Sequence, residues 1–156
     1  MIEERQFLNF IPPKLDGVNL EEKRRYMIVA KNDFNGTIKM INISKLSGKN
    51  NKNLIKDYNV ILEDHSPLRL PSFAKVNTIY TIKCFPEIED YISLGGKKLN
   101  EKDFNNILLE RERYITRTKN VNEINFTKEE FMSKNKEIIS VWKSRKELLK
   151  FFSIFL

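Results

Sequence analysis

The sequence has very little cysteine and histidine. Its single cysteine, Cys84, rules out a disulfide within the chain, so we expect a reducing, cytoplasmic location. Its single histidine, His65, has no neighbouring residues at zinc-ligand spacing, so we expect neither a metal nor another cofactor. The sequence also lacks a glycine-rich phosphate loop and a nucleophile elbow. These absences argue against nucleotide-binding P-loop proteins, zinc enzymes and serine hydrolases of the α/β class.

Long apolar runs are also missing. None reaches the ~18 residues that a membrane helix needs, and the charged start of the chain, Met1 to Arg5, does not resemble a signal peptide. The most apolar stretch is 147–156. We expect it to pack on the fold or to form an interface between two copies. A membrane-surface role is the third option, because lysines and arginines precede this stretch and occur within it.

The composition is that of a folded protein with a basic surface. Hydrophobic residues make up 40% of the chain and charged residues 31%, which is typical of a globular domain. Lysine and arginine total 28 against 21 acidic residues, which gives a net charge of +7. This excess favours an anionic partner such as a nucleic acid, with coding bias toward lysine as the alternative source.

The first half of the chain has the pattern of β-strands. The run from Arg25 to Ala30 is almost continuously apolar, which is typical of a strand buried on both faces. Asn35-Gly36 predicts a type I′ turn that joins this strand to 37–44 as a hairpin. Further strands are predicted at 6–11, 58–62, 73–76 and 79–84, with a bend near Asn77.

The second half has helical periodicity. Asn100 is predicted to cap a helix whose apolar stripe includes Phe104, Ile107 and Ile115. Residues 120–125 are expected to end it. Thr127 and Glu130 have the spacing of a capping box, which predicts a second helix. Its stripe is expected to comprise Phe131, Ile138, Trp142, Leu149 and Phe152. The sequence therefore predicts an α+β fold, with a β-barrel-like half followed by two helices.

The order of these segments resembles the MazF/PemK toxin family. Arg25-Tyr26-Met27-Ile28-Val29-Ala30-Lys31-Asn32-Asp33 is similar to the family's strand that begins with Arg-Pro and ends in Asn-Asp. Pro71-Ser72-Phe73-Ala74-Lys75-Val76-Asn77-Thr78-Ile79-Tyr80-Thr81-Ile82 is similar to a later segment of the family that ends in Ile-x-Thr-Ile. The resemblance covers roughly 6–118. It implies an SH3-like β-barrel domain at 1–118, with 119–156 as a helical extension.

The resemblance also implies an activity and partners. Members of the family are endoribonuclease toxins of toxin–antitoxin systems, so we expect metal-independent cleavage of single-stranded RNA through attack of its 2′-hydroxyl. A cognate antitoxin and a homodimer are implied in the same way. The antitoxin is expected to be a protein, with an RNA antitoxin, as in the ToxN-like toxins, as the alternative. The family's catalytic Arg and its strand-ending Thr or Ser correspond to Arg25 and Ser44.

Other residues are candidates for RNA binding. Arg24 is a rival to Arg25 as the catalytic arginine, and a lysine-rich loop follows Ser44. Phosphate contacts and base stacking are therefore predicted for Arg24, Lys45, Lys49, Lys52 and Tyr80. A solvated loop and a tyrosine packed in the core are the alternatives. His65 is a possible acid or base, since an unperturbed histidine has a pKa of about 6.5.

A non-catalytic module on the same barrel, binding nucleic acid or protein, is the alternative function. Three positions favour it, because the sequence there departs from the family. Tyr26 replaces a proline. Thr78 and Tyr80 replace polar or basic residues that contact RNA in many members of the family.

Overall fold

The computed structural model describes residues 1–13, 22–46, 56–120 and 122–135. They form an α+β structure in which one mixed sheet of six strands lies between layers of helix and loop. The described strands are β1 (Phe7–Phe10), β2 (Arg24–Asn32), β3 (Thr37–Lys45), β4 (Asn59–Ile61), β5 (Ser72–Lys83) and β6 (Asn122–Phe126). The main helix is α1 (Glu101–Thr118), and residues 128–135 are also helical.

Five strands are antiparallel, in the order β1-β2-β3-β5-β4. The sixth, β6, pairs in parallel with the part of β5 from Thr78 to Ile82. Within the described chain β1 and β4 do not pair, so the sheet is not closed. The α+β class predicted from the sequence is confirmed. The prediction that 120–125 ends the first helix is confirmed, because α1 ends at Thr118; the sequence did not predict that most of this segment forms β6.

The β2–β3 hairpin was predicted correctly, but its turn was not. Asn32 pairs with Thr37, which leaves four residues in the turn. Only Gly36 of the Asn35-Gly36 pair has a positive φ, at 68°. A type I′ turn requires positive φ at both central residues, so the turn is of another kind. The amide of Gly36 donates to the Asn32 carbonyl over 2.9 Å.

The predicted bend near Asn77 corresponds to a change in register rather than a break. β5 is continuous from Ser72 to Lys83. Its pairing with β3 shifts between Met40, opposite Tyr80, and Asn42, opposite Lys75. On its other edge, β5 has two neighbours. Its first part pairs with β4, and its later part pairs with β6.

Two apolar clusters cover the two faces of the sheet. Alternate residues of β2 enter each, with Met27 in the cluster under α1 and Tyr26 in the aromatic cluster on the other face. This agrees with the prediction of a strand buried on both faces. The aromatic cluster includes Phe131, whose helix begins with the predicted capping box. The Glu130 amide donates to the Thr127 hydroxyl over 3.1 Å, and the Thr127 amide donates to the Glu130 carboxylate over 3.2 Å.

The helix α1 begins where the sequence predicted. The Asn100 side chain accepts a 2.9 Å hydrogen bond from the Asp103 amide, which caps the helix. Phe104 and Ile107 are buried against the sheet. In the described part of the chain, no helix is both long and apolar enough to cross a membrane.

Candidate functional site

A basic cleft lies at one end of the sheet, where β2 and β5 begin and where β1 and β3 end. Antiparallel pairing brings these ends together, because each strand starts beside the end of its neighbour. The cleft has a volume of about 320 Å³. Its lining residues are Asn9, Glu22, Lys23, Arg24, Arg25, Asn42, Ile43, Ser44, Lys45 and Ser72.

The register of the strands decides which of these side chains share a face of the sheet. Arg25 pairs with Ile43, so the residue that follows Ile43, Ser44, points to the opposite face from Arg25. By the same alternation Arg24 shares the face of Ser44. Lys75 is opposite Asn42 and so lies on that face as well. Ser44 therefore has Arg24 beside it on β2 and Phe73 opposite it on β5, with Lys75 two residues farther along β5.

The cleft has an excess of positive charge. Lys23, Arg24, Arg25 and Lys45 line it, whereas Glu22 is the only carboxylate among its described lining residues. None of these four cations has an ion-pair partner within 4.0 Å among the residues that the structure describes. Like charges gathered without acids repel one another, and a bound anion relieves that repulsion.

The pKa of Lys75 is below its ordinary value. Burial of the side chain is the main cause, and the nearby charges of Arg24 and Lys56 lower the pKa further. Burial also lowers the pKa of Arg25, and its Nε has no hydrogen-bond partner among the described residues. Both side chains are thus held partly out of water, and neither has an ion-pair partner among the residues that the structure describes.

A hydrogen-bond chain connects the two residues that the sequence proposed as catalytic. The Ser44 hydroxyl donates to Asn42 Oδ1 over 2.7 Å. The Asn42 Nδ2 donates to the carbonyl oxygen of Arg25 over 3.2 Å. Asn42 is only 5% exposed, so packing holds its amide in place. The Ser44 hydroxyl proton is therefore directed toward Asn42.

Comparison with known proteins does not identify this cleft. No protein-family model and no curated protein matches the chain.

The structure brings together four of the residues singled out from the sequence. Arg24, Arg25, Ser44 and Lys45 all line the cleft. The predictions for Lys49 and Lys52 lie outside the described residues. So do those for the helical stripe beyond Phe131 and for the apolar stretch 147–156.

Tyr80 and His65 are placed elsewhere. Tyr80 is 9% exposed, and its ring packs edge-on against Tyr26 with the centroids 4.9 Å apart. This corrects the expectation that Tyr80 stacks on RNA bases, because the packing leaves its ring faces covered. His65 is in the β4–β5 connection and does not line the cleft. Its Nδ1 is 2.9 Å from the Leu68 carbonyl oxygen, and its amide donates to Asp103.

Sequence reasoning missed the other lining residues of the cleft, among them Glu22, Lys23 and Asn42, and it missed Lys75, which lies opposite Asn42 on β5. Lys75 stands out in the sequence as a charge within an apolar strand segment, which is unusual for a buried strand. Its place beside Asn42 requires the register between β3 and β5, which the sequence does not reveal. Among the residues described here, no three His, Cys, Asp or Glu side chains form a group able to hold a metal ion.

Proposed function

We propose that this protein is an endoribonuclease toxin of a toxin–antitoxin system that cleaves single-stranded RNA in the basic cleft without a metal ion. The observation that carries the proposal is the placement of Ser44 in a cleft whose cations have no ion-pair partner in the described part of the chain. Phosphates are the anions that a row of arginines and lysines binds best, because each contact releases a counterion. Arg24 is the arginine best placed for a phosphate beside Ser44, and Arg25 extends the positive field from the other face.

The cleft offers groups for each part of the reaction. The 2′-hydroxyl oxygen attacks the adjacent phosphorus, which yields a 2′,3′-cyclic phosphate and releases the 5′-oxygen of the next nucleotide. Arginine stabilises the charge that develops on the phosphate oxygens, because its planar fork matches them and stays charged. Glu22, the one carboxylate among the described lining residues, takes the 2′-hydroxyl proton and returns it to the departing 5′-oxygen.

The finer fold and the partners belong to the same proposal. The five antiparallel strands, in the order β1-β2-β3-β5-β4, are compatible with an open SH3-like barrel of the MazF/PemK kind. A cognate antitoxin and a homodimer follow from the sequence resemblance to that family. An antitoxin with an acidic segment is suited to the cleft, because it would supply the carboxylates that the cations lack.

A binding module without catalysis is the second candidate, and two observations favour it. The cleft contains no histidine among its described lining residues, and the Ser44 proton is already donated to Asn42. Such a site holds a phosphate backbone as well as a nuclease site does. It lacks only an efficient route for the protons.

Incubation of purified protein with a 5′-labelled RNA in the presence of EDTA tests the proposal. We expect discrete cleavage products with cyclic phosphate ends, and at least a tenfold loss of rate in Arg24→Gln, since a charge-assisted contact is worth about 1.5–3 kcal/mol. Glu22→Gln is expected to cut more slowly with little change in binding. Lys97→Gln, an exposed lysine outside the cleft, is the matched control.

Growth after induced expression provides the cellular readout. Arrest accompanied by new RNA ends, and lost in Arg24→Gln, supports the toxin. RNA that is bound tightly yet stays intact in vitro, together with normal growth, rules out the nuclease and leaves the binding module. Failure of the folded protein to bind RNA rules out both candidates.

A further inference from the structure

The orientation of the Asn42 amide is determined by the backbone beside it. The carbonyl oxygen of Arg25 can only accept a hydrogen bond, so the atom of Asn42 that faces it must be the Nδ2 donor. The other end of the amide, Oδ1, then faces Ser44 and can only accept. The Ser44 hydroxyl has one proton, and it must go to Asn42.

Ser44 consequently presents an acceptor to the cleft. A hydroxyl oxygen that has donated its proton keeps its lone pairs for incoming donors. Ser44 is half-buried and lines the cleft, so a ligand can reach it. A phosphate oxygen, which is itself an acceptor, gains nothing from this atom. The partner of Ser44 must therefore be a hydrogen-bond donor on the ligand.

The surrounding cations indicate which donor that is. Arg24 lies beside Ser44 on the same face, and Lys75 lies on that face opposite Asn42, so these two cations are the groups available to hold a phosphate there. In a nucleic acid, the donor attached next to a phosphate is the ribose 2′-hydroxyl, which DNA lacks. A base donor lies farther from the backbone than this hydroxyl does.

We infer that Ser44, oriented by Asn42, accepts a hydrogen bond from a ribose 2′-hydroxyl and makes the cleft select RNA over DNA. The inference rests on the proposed function, because it requires the cleft to bind a nucleic acid strand. Ser44 is then the residue that recognises the sugar, and Asn42 is a positioning residue that acts through it. Before the reaction this bond holds the 2′-oxygen beside the phosphate, and the proton passes to Glu22 only as that oxygen attacks.

Fluorescence anisotropy with three oligonucleotides of one sequence tests this inference. They are RNA, DNA and 2′-fluoro RNA, which keeps the ribose pucker but has no 2′-donor. Wild type should bind RNA more tightly than either analogue. Ser44→Ala should lower the affinity for RNA by about fivefold, or about 1 kcal/mol, and leave the other two unchanged. A gel of each sample checks that the RNA is intact when binding is measured.

Further variants separate recognition of the sugar from other effects. Asn42→Leu should lower the preference for RNA although Ser44 is still present, because the freed hydroxyl proton can turn toward the ligand. Arg24→Gln should weaken the binding of all three oligonucleotides alike, since they share the phosphate. Ser133→Ala is the matched control, because this serine lies outside the cleft and donates its hydroxyl proton to the Glu130 carbonyl.

Two results would overturn the inference alone. They are equal affinity of wild type for RNA and 2′-fluoro RNA, or a loss in Ser44→Ala that is the same for all three oligonucleotides. In either case binding to the cleft, and with it the proposed function, is left standing. If none of the three oligonucleotides binds to folded wild-type protein, the inference and the proposed function are both wrong.

Discussion

Arg25 and Ser44 line the same cleft but belong to opposite faces of the sheet, because Arg25 pairs with Ile43 rather than with Ser44. Ser44 instead shares its face with Arg24. Arg25 and Ser44 are thus close to each other in the sheet, but their side chains point to opposite sides of it. This relationship makes Arg24 the main candidate for contact with a phosphate at Ser44.

The two arginines should therefore contribute unequally to RNA binding. Arg24→Gln is expected to lower the affinity for single-stranded RNA at least tenfold and to reduce the salt slope by about one. Arg25→Gln should cost about threefold, since it acts mainly through the general field. Titrations at two salt concentrations measure both effects, with Lys97→Gln as the control for loss of charge elsewhere. A larger effect for Arg25 would contradict the assignment of faces.

Lys75 should oppose stability while it supports binding. Burial and the charges of Arg24 and Lys56 disfavour its protonated form. Lys75→Met is therefore expected to raise the melting temperature by about 2 °C and to weaken RNA binding. Thermal unfolding and anisotropy measure the two effects. A lower melting temperature in this variant would show that Lys75 has a stabilising partner.

The stabilisation expected in Lys75→Met should become smaller as the pH rises. The pKa of Lys75 in the folded protein is below its ordinary value of 10.5, so the unfolded chain keeps its proton to higher pH. Below the lowered pKa the residue is charged in both states, and the folded state bears the full cost of that charge. As the pH rises through the lowered pKa, the folded state releases the proton and this cost falls. The difference in melting temperature between Lys75→Met and wild type should therefore narrow toward pH 10.5.

Asp103 should be essential for anchoring the β4–β5 connection to α1. Its carboxylate is 1% exposed and accepts hydrogen bonds from the amides of Glu63, at 2.9 Å, and His65, at 2.7 Å. Asp103→Asn replaces one accepting oxygen with a donor that faces an N–H group. We expect a loss of about 2 kcal/mol in the free energy of unfolding, measured by denaturation in urea.

The neighbouring carboxylate of Glu101 provides the control for Asp103. It belongs to the same first turn of α1, but its side chain is 80% exposed and its one ion pair with a described residue, Arg5, is 3.5 Å long. Glu101→Gln should change the stability by less than about 0.5 kcal/mol. Equal losses in both variants would mean that charge near the helix end, and not the buried hydrogen bonds, is responsible.

Phe131 should be among the residues most important for stability. It is fully buried, and its ring centroid is 4.8 to 5.4 Å from those of Tyr91, Phe10 and Phe85. Phe131→Ala should lower the free energy of unfolding by about 3–5 kcal/mol, since it opens a cavity among aromatic rings. Phe34→Ala is the matched control, because Phe34 is fully exposed at the hairpin tip, and it should be nearly neutral. A small effect for Phe131 would show that the aromatic cluster repacks.

Local features were predicted well because local interactions produce them. Three of these features involve residues that are only a few positions apart. They are the cap at Asn100, the capping box of Thr127 and Glu130, and the hairpin around Gly36. Their hydrogen bonds are possible whatever the rest of the chain does. The apolar run of β2 likewise indicates burial on both faces before its neighbours are known. These elements are sufficient for the α+β class and for the order of the elements from β1 to α1.

The pairings between distant segments required the tertiary structure. The polar segment at 122–126 becomes a strand only because α1 carries the chain back to the free edge of β5, where parallel pairing is possible. The cleft has the same origin. A shift of one residue in the pairing of β2 with β3 would exchange the faces of Arg24 and Arg25. The sequence by itself determined that two arginines begin one strand and that a serine lies at the end of the next. The register decided which arginine lies beside Ser44, and it placed Lys75 on the same face of the sheet.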